Sequence, residues 1–324
     1  MNFVPLTFLN KKQLNISMKI LVTGGCGFIG SHIVDKLVEQ KHEVVVLDNL
    51  STGKKERLNP NAKLIIADIC NGEQINTVFL EEKPKIVIHT TAQVMLRKSI
   101  DEPVFDAMTN IIGTINVLNA TKNAKVDKII YTSTGGARYG EPKYLPVDEN
   151  HELNPSAPYG ISKHTAEHYV RAYSELYGFD YLIFCFGNVY GPRDDPKCKR
   201  VTALFSESMI KGEQPTIFGD GGQTRDFLYV LDLAEFIVNS IEKKPEHKLF
   251  NLANGTQTSV TQIFEMLKEI SGFEKDAKHI DAIKGEIRDI CLNTTLAQKE
   301  LGWEAKTSMK EGLKQTYNWL KENE

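Results

Sequence analysis

The chain has 324 residues, of which 41% are apolar and 25% charged, and a formal net charge of −3. That is material for a large core and suits a nucleotide-binding half joined to a smaller substrate half. With 39 Lys and Arg against 42 Asp and Glu, and no dense basic run, the charge balance excludes a nucleic-acid footprint.

The 5 cysteines, Cys26, Cys70, Cys185, Cys198 and Cys291, are scattered and lack CxxC spacing, so neither a metal site nor a disulfide framework is expected. Free thiols in a reducing cytoplasm are the simplest account. No apolar run nears the ~18 residues of a membrane span, so no membrane partner is expected. Residues 1–17 carry an apolar run ahead of Lys11-Lys12, the reverse of a secretory signal. They read as a poorly ordered extension, or as sequence upstream of a start at Met18.

In chain order, the organising stretch is Ile20-Leu21-Val22-Thr23-Gly24-Gly25-Cys26-Gly27-Phe28-Ile29-Gly30. A strand at 19–23 runs into a glycine turn and then a helix with apolar Ile29, Ile33 and Leu37. Gly24 suits a turn with positive φ, Gly27 a close approach to phosphate, and Gly30 tight helix–strand contact. The helix N-terminus offers free N–H groups and a positive dipole end to a pyrophosphate. A second strand, 43–48, ends in Asp48, ~20 residues past the glycines, where a ribose hydroxyl would be held.

Further apolar strands are expected at 63–67, 85–89, 128–133 and 180–186, with helices between them, one running over 104–123. Near-continuous apolar strands alternating with helices predict an α/β fold, a doubly wound parallel sheet of Rossmann type. Beyond Asn188 the pattern changes to helices near 200–211, 232–243, 260–271, 294–301 and 309–321, with short strands and Gly-rich loops. This predicts a nucleotide-binding domain over 18–188 and a smaller mixed α/β substrate lobe over 189–324, interleaved at the boundary.

Tyr159 and Lys163 open a helix over 157–177, and their i,i+4 spacing puts both on one face. An ammonium beside a phenol favours the phenolate, which makes Tyr159 a candidate base for a sugar or alcohol hydroxyl. Thr132, Ser133 and Thr134 end a strand, where hydroxyls lie over the ligand crevice of such sheets. One of them can pass a proton between substrate and Tyr159.

These pieces, with Leu47-Asp48-Asn49-Leu50-Ser51-Thr52-Gly53, Asn110-Ile111-Ile112-Gly113-Thr114, Gly187-Asn188-Val189-Tyr190-Gly191-Pro192-Arg193 and Phe218-Gly219-Asp220-Gly221-Gly222-Gln223-Thr224-Arg225-Asp226-Phe227, resemble the extended short-chain dehydrogenase/reductases. The resemblance is specifically to nucleotide-sugar epimerases of the UDP-glucose 4-epimerase type and covers about residues 18–320. It implies NAD as cofactor, a UDP-sugar as substrate, and C4 epimerisation of a UDP-hexose through a transient 4-keto sugar. Epimerases of UDP-N-acetylhexosamine or UDP-glucuronate, or a decarboxylase of the same family, are the alternatives. A homodimer formed through helices 104–123 and 157–177 is also implied.

By the same resemblance, Gly24, Gly27, Phe28, Ile29 and Gly30 would hold the pyrophosphate. Asp48, Asn49, Ser51, Thr52 and Gly53 would hold the adenosine ribose end, and Asp68 and Ile69 the adenine. Thr90, Thr91, Ala92, Gln93, Asn110, Thr132, Phe186 and Val189, with Tyr159 and Lys163, would flank the rest of the cofactor. Asn188, Thr202, Ile217, Phe218, Gly219, Arg225 and the Gly285-Glu286-Ile287-Arg288 segment would take the nucleotide sugar, with Thr134 and Tyr159 at its reacting end. Ile290 would help to set room for an N-acetyl group. Two departures from the family stand out. Gly135 and Gly136 occupy the places where the resembling dehydratases carry Asp-Glu, which argues against dehydration. Cys185 stands where an Arg is frequent. Either Ser133 or Thr134 relays the proton, Thr134 being favoured by its place in the strand.

Overall fold

A computed structural model describes residues 17–282 and 287–323. The strands are β1 (Lys19–Thr23), β2 (Glu43–Asp48), β3 (Lys63–Ile66), β4 (Ile86–His89), β5 (Lys128–Thr134), β6 (Asp180–Phe186), β7 (Asn188–Tyr190), β8 (Thr216–Phe218), β9 (Thr224–Tyr229), β10 (Leu249–Leu252), β11 (Gln257–Ser259) and β12 (Lys278–Ile280). Seven of them form one sheet in the order β10-β6-β5-β4-β1-β2-β3, and every pairing in it is parallel.

Alternation along each strand builds the two cores. Ile20 and Val22 of β1, Val44 and Val46 of β2, Ile86 and Ile88 of β4, and Leu182 and Phe184 of β6 share one face. Helices Phe28–Glu39, Val230–Asn239 and Thr295–Leu301 cover it through Ile33, Leu37, Leu233, Ile237 and Ala297. Leu21, Val45, Val87, Ile129, Tyr131 and Ile183 point to the other face, under Ile75, Phe79, Val117, Leu118, Ala166 and Val170 of helices Gly72–Glu82, Gly113–Asn123 and Pro158–Tyr177. Both faces are therefore apolar, and the strands read as unbroken apolar runs.

Two features depart from the sequence expectation. The sheet has a seventh strand, β10, contributed from beyond residue 188, beside the helix Val230–Asn239 that packs on it as the interleaved boundary allows. The helix expected over 104–123 is three pieces, Pro103–Ala107, a wide π-type turn Met108–Ile112, and Gly113–Asn123. β8, β9, β11 and β12 pair among themselves and with β7, in a three-stranded and a two-stranded sheet. These pack with helices Val201–Ile210, Val260–Ser271 and Met309–Asn323 around Phe205, Ile217, Phe227, Phe264 and Leu313. The strand order reverses direction at β1 and β4. A crevice therefore opens beyond their carboxyl ends, where ligands of such sheets sit.

Candidate active site

The crevice begins at the turn after β1. Gly24 has φ +73°, and a Cβ there would meet the Thr90 hydroxyl and Thr91 amide at 3.0 Å. Gly27 caps helix Phe28–Glu39, with no side chain taking its first amides. Thr91 Oγ1 is buried beside this turn and has no hydrogen-bond partner among the described residues. At the end of β2, Asp48 accepts the Cys26 amide at 3.0 Å and the Leu50 amide at 2.8 Å, and Gly53 lies against its carboxylate. Burial raises the Asp48 carboxyl, and the two backbone amides oppose that rise. Asp68 accepts from Asn49 at 2.9 Å, Asn49 in turn holds the Ser51 amide at 3.0 Å, and Ile69 is buried beneath. Ser51 and Thr52 are exposed on the loop that follows Asp48. Free helix amides, a glycine turn without side chains, an orphaned hydroxyl and a strand-end carboxylate fit a dinucleotide.

The wide turn at Met108–Ile112 positions Asn110. Its amide group accepts the Gln93 N–H at 2.8 Å and donates to the Gln93 carbonyl at 3.1 Å and to the Ser162 hydroxyl at 3.1 Å. Asn110 thus ties the Thr90–Gln93 loop to the helix that carries Tyr159 and Lys163. A π-type turn at such a place marks a constraint that helix spacing alone does not reveal.

At the end of β5 the hydroxyls separate by face. Thr134 accepts the Ala137 amide at 3.2 Å, and its hydroxyl lies near enough to Tyr159 to draw the phenol's pKa down. Thr132 donates to the His89 carbonyl at 3.1 Å. Ser133 points to the opposite face and donates to Glu167, so the structure does not bring it to Tyr159. A strand's period of two makes neighbours diverge in this way. Burial pushes the Tyr159 phenol up to about 12, while the Thr134 hydroxyl and Arg200 pull it down and Asp106 opposes them. Burial brings the Lys163 ammonium down to about 7, countered by Glu167. Its Nζ stands 4.2 Å from the Tyr131 ring centroid.

Phe186 ends β6 and Val189 lies in β7, both buried, while Asn188 is half-buried across from Gly136. A Cβ at Gly135 would lie 2.4 Å from Leu292 Cδ1 and 2.9 Å from the Phe186 carbonyl oxygen, so no acidic side chain fits there. Farther along, Arg288 is held by Asp220 through two bonds of 2.9 Å, and Arg225 donates to the Thr224 and Arg288 carbonyls. Phe218 and Gly219 are on the same rim, Phe218 being exposed. Thr202 and Ile217 are almost fully buried. Ile290 is buried with Tyr139, Val147 and Leu292. Gly285, Glu286 and residues 1–16 of the expected extension lie outside the described residues.

Sequence reasoning passed over Arg200. Its guanidinium sits 5.1 Å from the Phe28 ring centroid, pairs with buried Asp194 and favours the Tyr159 phenolate. No local motif marks it, because the fold alone carries the 193–200 loop to the glycine turn.

Comparison with known proteins agrees with this geometry. Residues 20–253 match the family described as NAD dependent epimerase/dehydratase. A Methanocaldococcus jannaschii protein, provisionally named UDP-glucose 4-epimerase, is 46% identical over 94% of this chain and 99% of its own length. A Thermotoga maritima UDP-glucose 4-epimerase, crystallised with UDP-glucose, superposes with a TM-score of 0.92 at 43% identity, covering 94% of this chain and 99% of the other. A Thermus thermophilus UDP-glucose 4-epimerase in complex with NAD gives a TM-score of 0.88 at 34% identity, covering 93% and 98%.

Proposed function

This chain belongs to the NAD dependent epimerase/dehydratase family, within the extended short-chain dehydrogenase/reductases, and from that premise we propose that it interconverts UDP-glucose and UDP-galactose by inverting C4. The observation that carries the reading is the grouping of Thr134, at the carboxyl end of β5, with Tyr159, whose phenol it influences, and Lys163 one helical turn on. NAD, held by the Gly24–Gly30 turn, Asp48 and the Thr90–Gln93 loop, supplies the hydride acceptor and, when oxidised, a positive charge.

The chain's own groups move the proton. Tyr159 takes it from the 4-hydroxyl as C4 is oxidised, and returns it to the 4-oxygen when the turned 4-keto sugar is reduced on its other face. Thr134 passes it between sugar and phenol, and the Lys163 ammonium holds the phenolate. Arg225 and Arg288 recognise the diphosphate, for which guanidinium forks are suited. Asp220 keeps the Arg288 fork oriented until the diphosphate replaces it. Gly135 supports epimerisation over dehydration, since elimination of water needs an acid where only a hydrogen fits.

The test incubates the purified protein separately with UDP-galactose, UDP-N-acetylgalactosamine and UDP-galacturonate, without added NAD, and resolves the products by chromatography. UDP-glucose from UDP-galactose supports the reading and shows that NAD is carried with the protein. No conversion of UDP-galactose, even with NAD supplied, would sink it.

Asp48→Asn is expected to weaken NAD binding by about ten- to a hundredfold, the worth of a hydrogen bond to a charged group. Titration of the cofactor-stripped protein measures it. An unchanged affinity would remove Asp48 from the ribose site.

The protein works as a cytoplasmic homodimer. All five cysteines are unpaired, as suits a reducing compartment. Among the described residues no helix is long and apolar enough to cross a membrane. Val104, Phe105, Met108, Ile112 and Ile161 are exposed on adjacent stretches of Pro103–Ile112 and Pro158–Tyr177. An exposed apolar patch of this kind marks an interaction face. Val104→Asp with Ile112→Asp should give a monomer by light scattering, and a dimer that persists would place the contact elsewhere.

A further inference from the structure

A buried charged cluster behind Tyr159 and Lys163 is not used by the proton chemistry. Glu167 is one turn beyond Lys163 on helix Pro158–Tyr177 and 4% exposed. It accepts the Ser133 hydroxyl, pairs with Arg138 at 3.2 Å and meets His164 Nδ1 at 3.0 Å. Arg138, 3% exposed, also donates to Cys185 Sγ at 2.9 Å, and Cys185 Sγ is 3.9 Å from Glu167. Ser133 immediately precedes Thr134, and Arg138 ends the short helix Gly135–Arg138 whose first turn Thr134 caps. One carboxylate therefore grips the chain on both sides of Thr134 from the helix that carries Tyr159 and Lys163.

We propose that Glu167, locked by Arg138 and Ser133, is a positioning residue that sets the Thr134–Tyr159 contact and keeps Lys163 charged. Removing one partner of a buried pair leaves the other uncompensated, so such a group is a costly feature to retain for packing alone. Four other groups face Lys163: Tyr131 from β5, Cys185 from β6, Asp106 from helix Pro103–Ala107 and His89 from β4. His89 is fully buried and held neutral, its pKa lowered to about 3 by burial and by Lys163. Tyr131 is held protonated by burial, and burial pushes the Cys185 thiol up to about 12. Asp106 and Glu167 are therefore the carboxylates left to favour the ammonium.

The inference rests on the epimerase reading, and its test needs a parent protein that turns over UDP-galactose. Parent inactivity would count against that reading, and only active parent protein tests Glu167. Glu167→Gln keeps the size and one acceptor oxygen for Arg138, and removes the charge. Its kcat should fall about ten- to a hundredfold, with KM for UDP-galactose and bound NAD unchanged. The high-pH limb of the rate profile, where the ammonium is lost, should move down by about one unit because its countercharge is gone. Ser133→Ala keeps the charge and should lower kcat by about threefold to tenfold without moving that limb. If Glu167→Gln folds with NAD bound and keeps the parent kcat and limb, the proposal is overturned. If Glu167→Gln does not fold, Ser133→Ala decides, and an unchanged kcat there overturns it.

Discussion

Tyr159→Phe should lower kcat for UDP-galactose by roughly a hundredfold to ten-thousandfold, the range of a positioned acid–base group. The phenol is pushed up to about 12 by burial, with the Thr134 hydroxyl as the largest opposing influence. Bringing it to neutrality takes ~5 units, or ~7 kcal/mol at 1.36 kcal/mol per unit. One hydrogen bond contributes only about 1 kcal/mol net. Cationic charge must therefore supply the larger share, with Arg200 and Lys163 as the chain's own sources beside the charge of oxidised NAD. The phenylalanine variant keeps the ring in its buried place, so KM and bound NAD should change little. Steady-state kinetics with UDP-galactose, beside the absorbance of bound cofactor, separate the two. A kcat within tenfold of the parent would rule out Tyr159 as the base. Lys163→Met should also lose activity, and the pH at which the remaining base ionises should rise, because the phenolate loses its neighbouring cation.

Gly30→Ala should cost the protein its cofactor. A Cβ there would lie 2.2 Å from the Gly24 carbonyl oxygen and 2.9 Å from Thr90 Oγ1. Contacts this short force the helix off the turn, and overpacking of this kind costs about 1–3 kcal/mol. The displaced atoms are those that face the pyrophosphate, so purified protein should lack NAD absorbance and activity while remaining folded. Gly178→Ala is the control. Gly178 has φ +81° and nothing within 4 Å of a built Cβ, so that change strains backbone without crowding the site. It should lower the melting temperature slightly and leave NAD bound. Retention of parental NAD by Gly30→Ala would show that the turn tolerates the shift.

Much of this site was legible in the sequence because its chemistry is local. A glycine turn between an apolar strand and a periodic helix has few other uses. Asp48 at the end of the next strand and the i,i+4 pair Tyr159 and Lys163 are likewise read from spacing. The six strands from β1 to β6 also stood out, because a sheet buried on both faces demands unbroken apolar runs. β10 did not: Leu249-Phe250-Asn251-Leu252 is short, and its place in the sheet comes from pairing with β6.

Residue type at short separation was thus enough for the doubly wound architecture, the dinucleotide turn and the Tyr–Lys pair. Which hydroxyl meets Tyr159 was settled by the folded chain. Ser133 and Thr134 are equal in chemistry, and strand alternation turns Ser133 to Glu167 and leaves Thr134 on the other face, where it acts on the Tyr159 phenol. The fold likewise brings Asn110 to Gln93 and Ser162, lays Arg288 against Asp220, and closes off Gly135 with Leu292 and Phe186. These contacts join residues 17 to 157 positions apart, as Asn110 is from Gln93 and Gly135 from Leu292. At such separations spacing carries no information, and sheet register and helix packing settle the outcome.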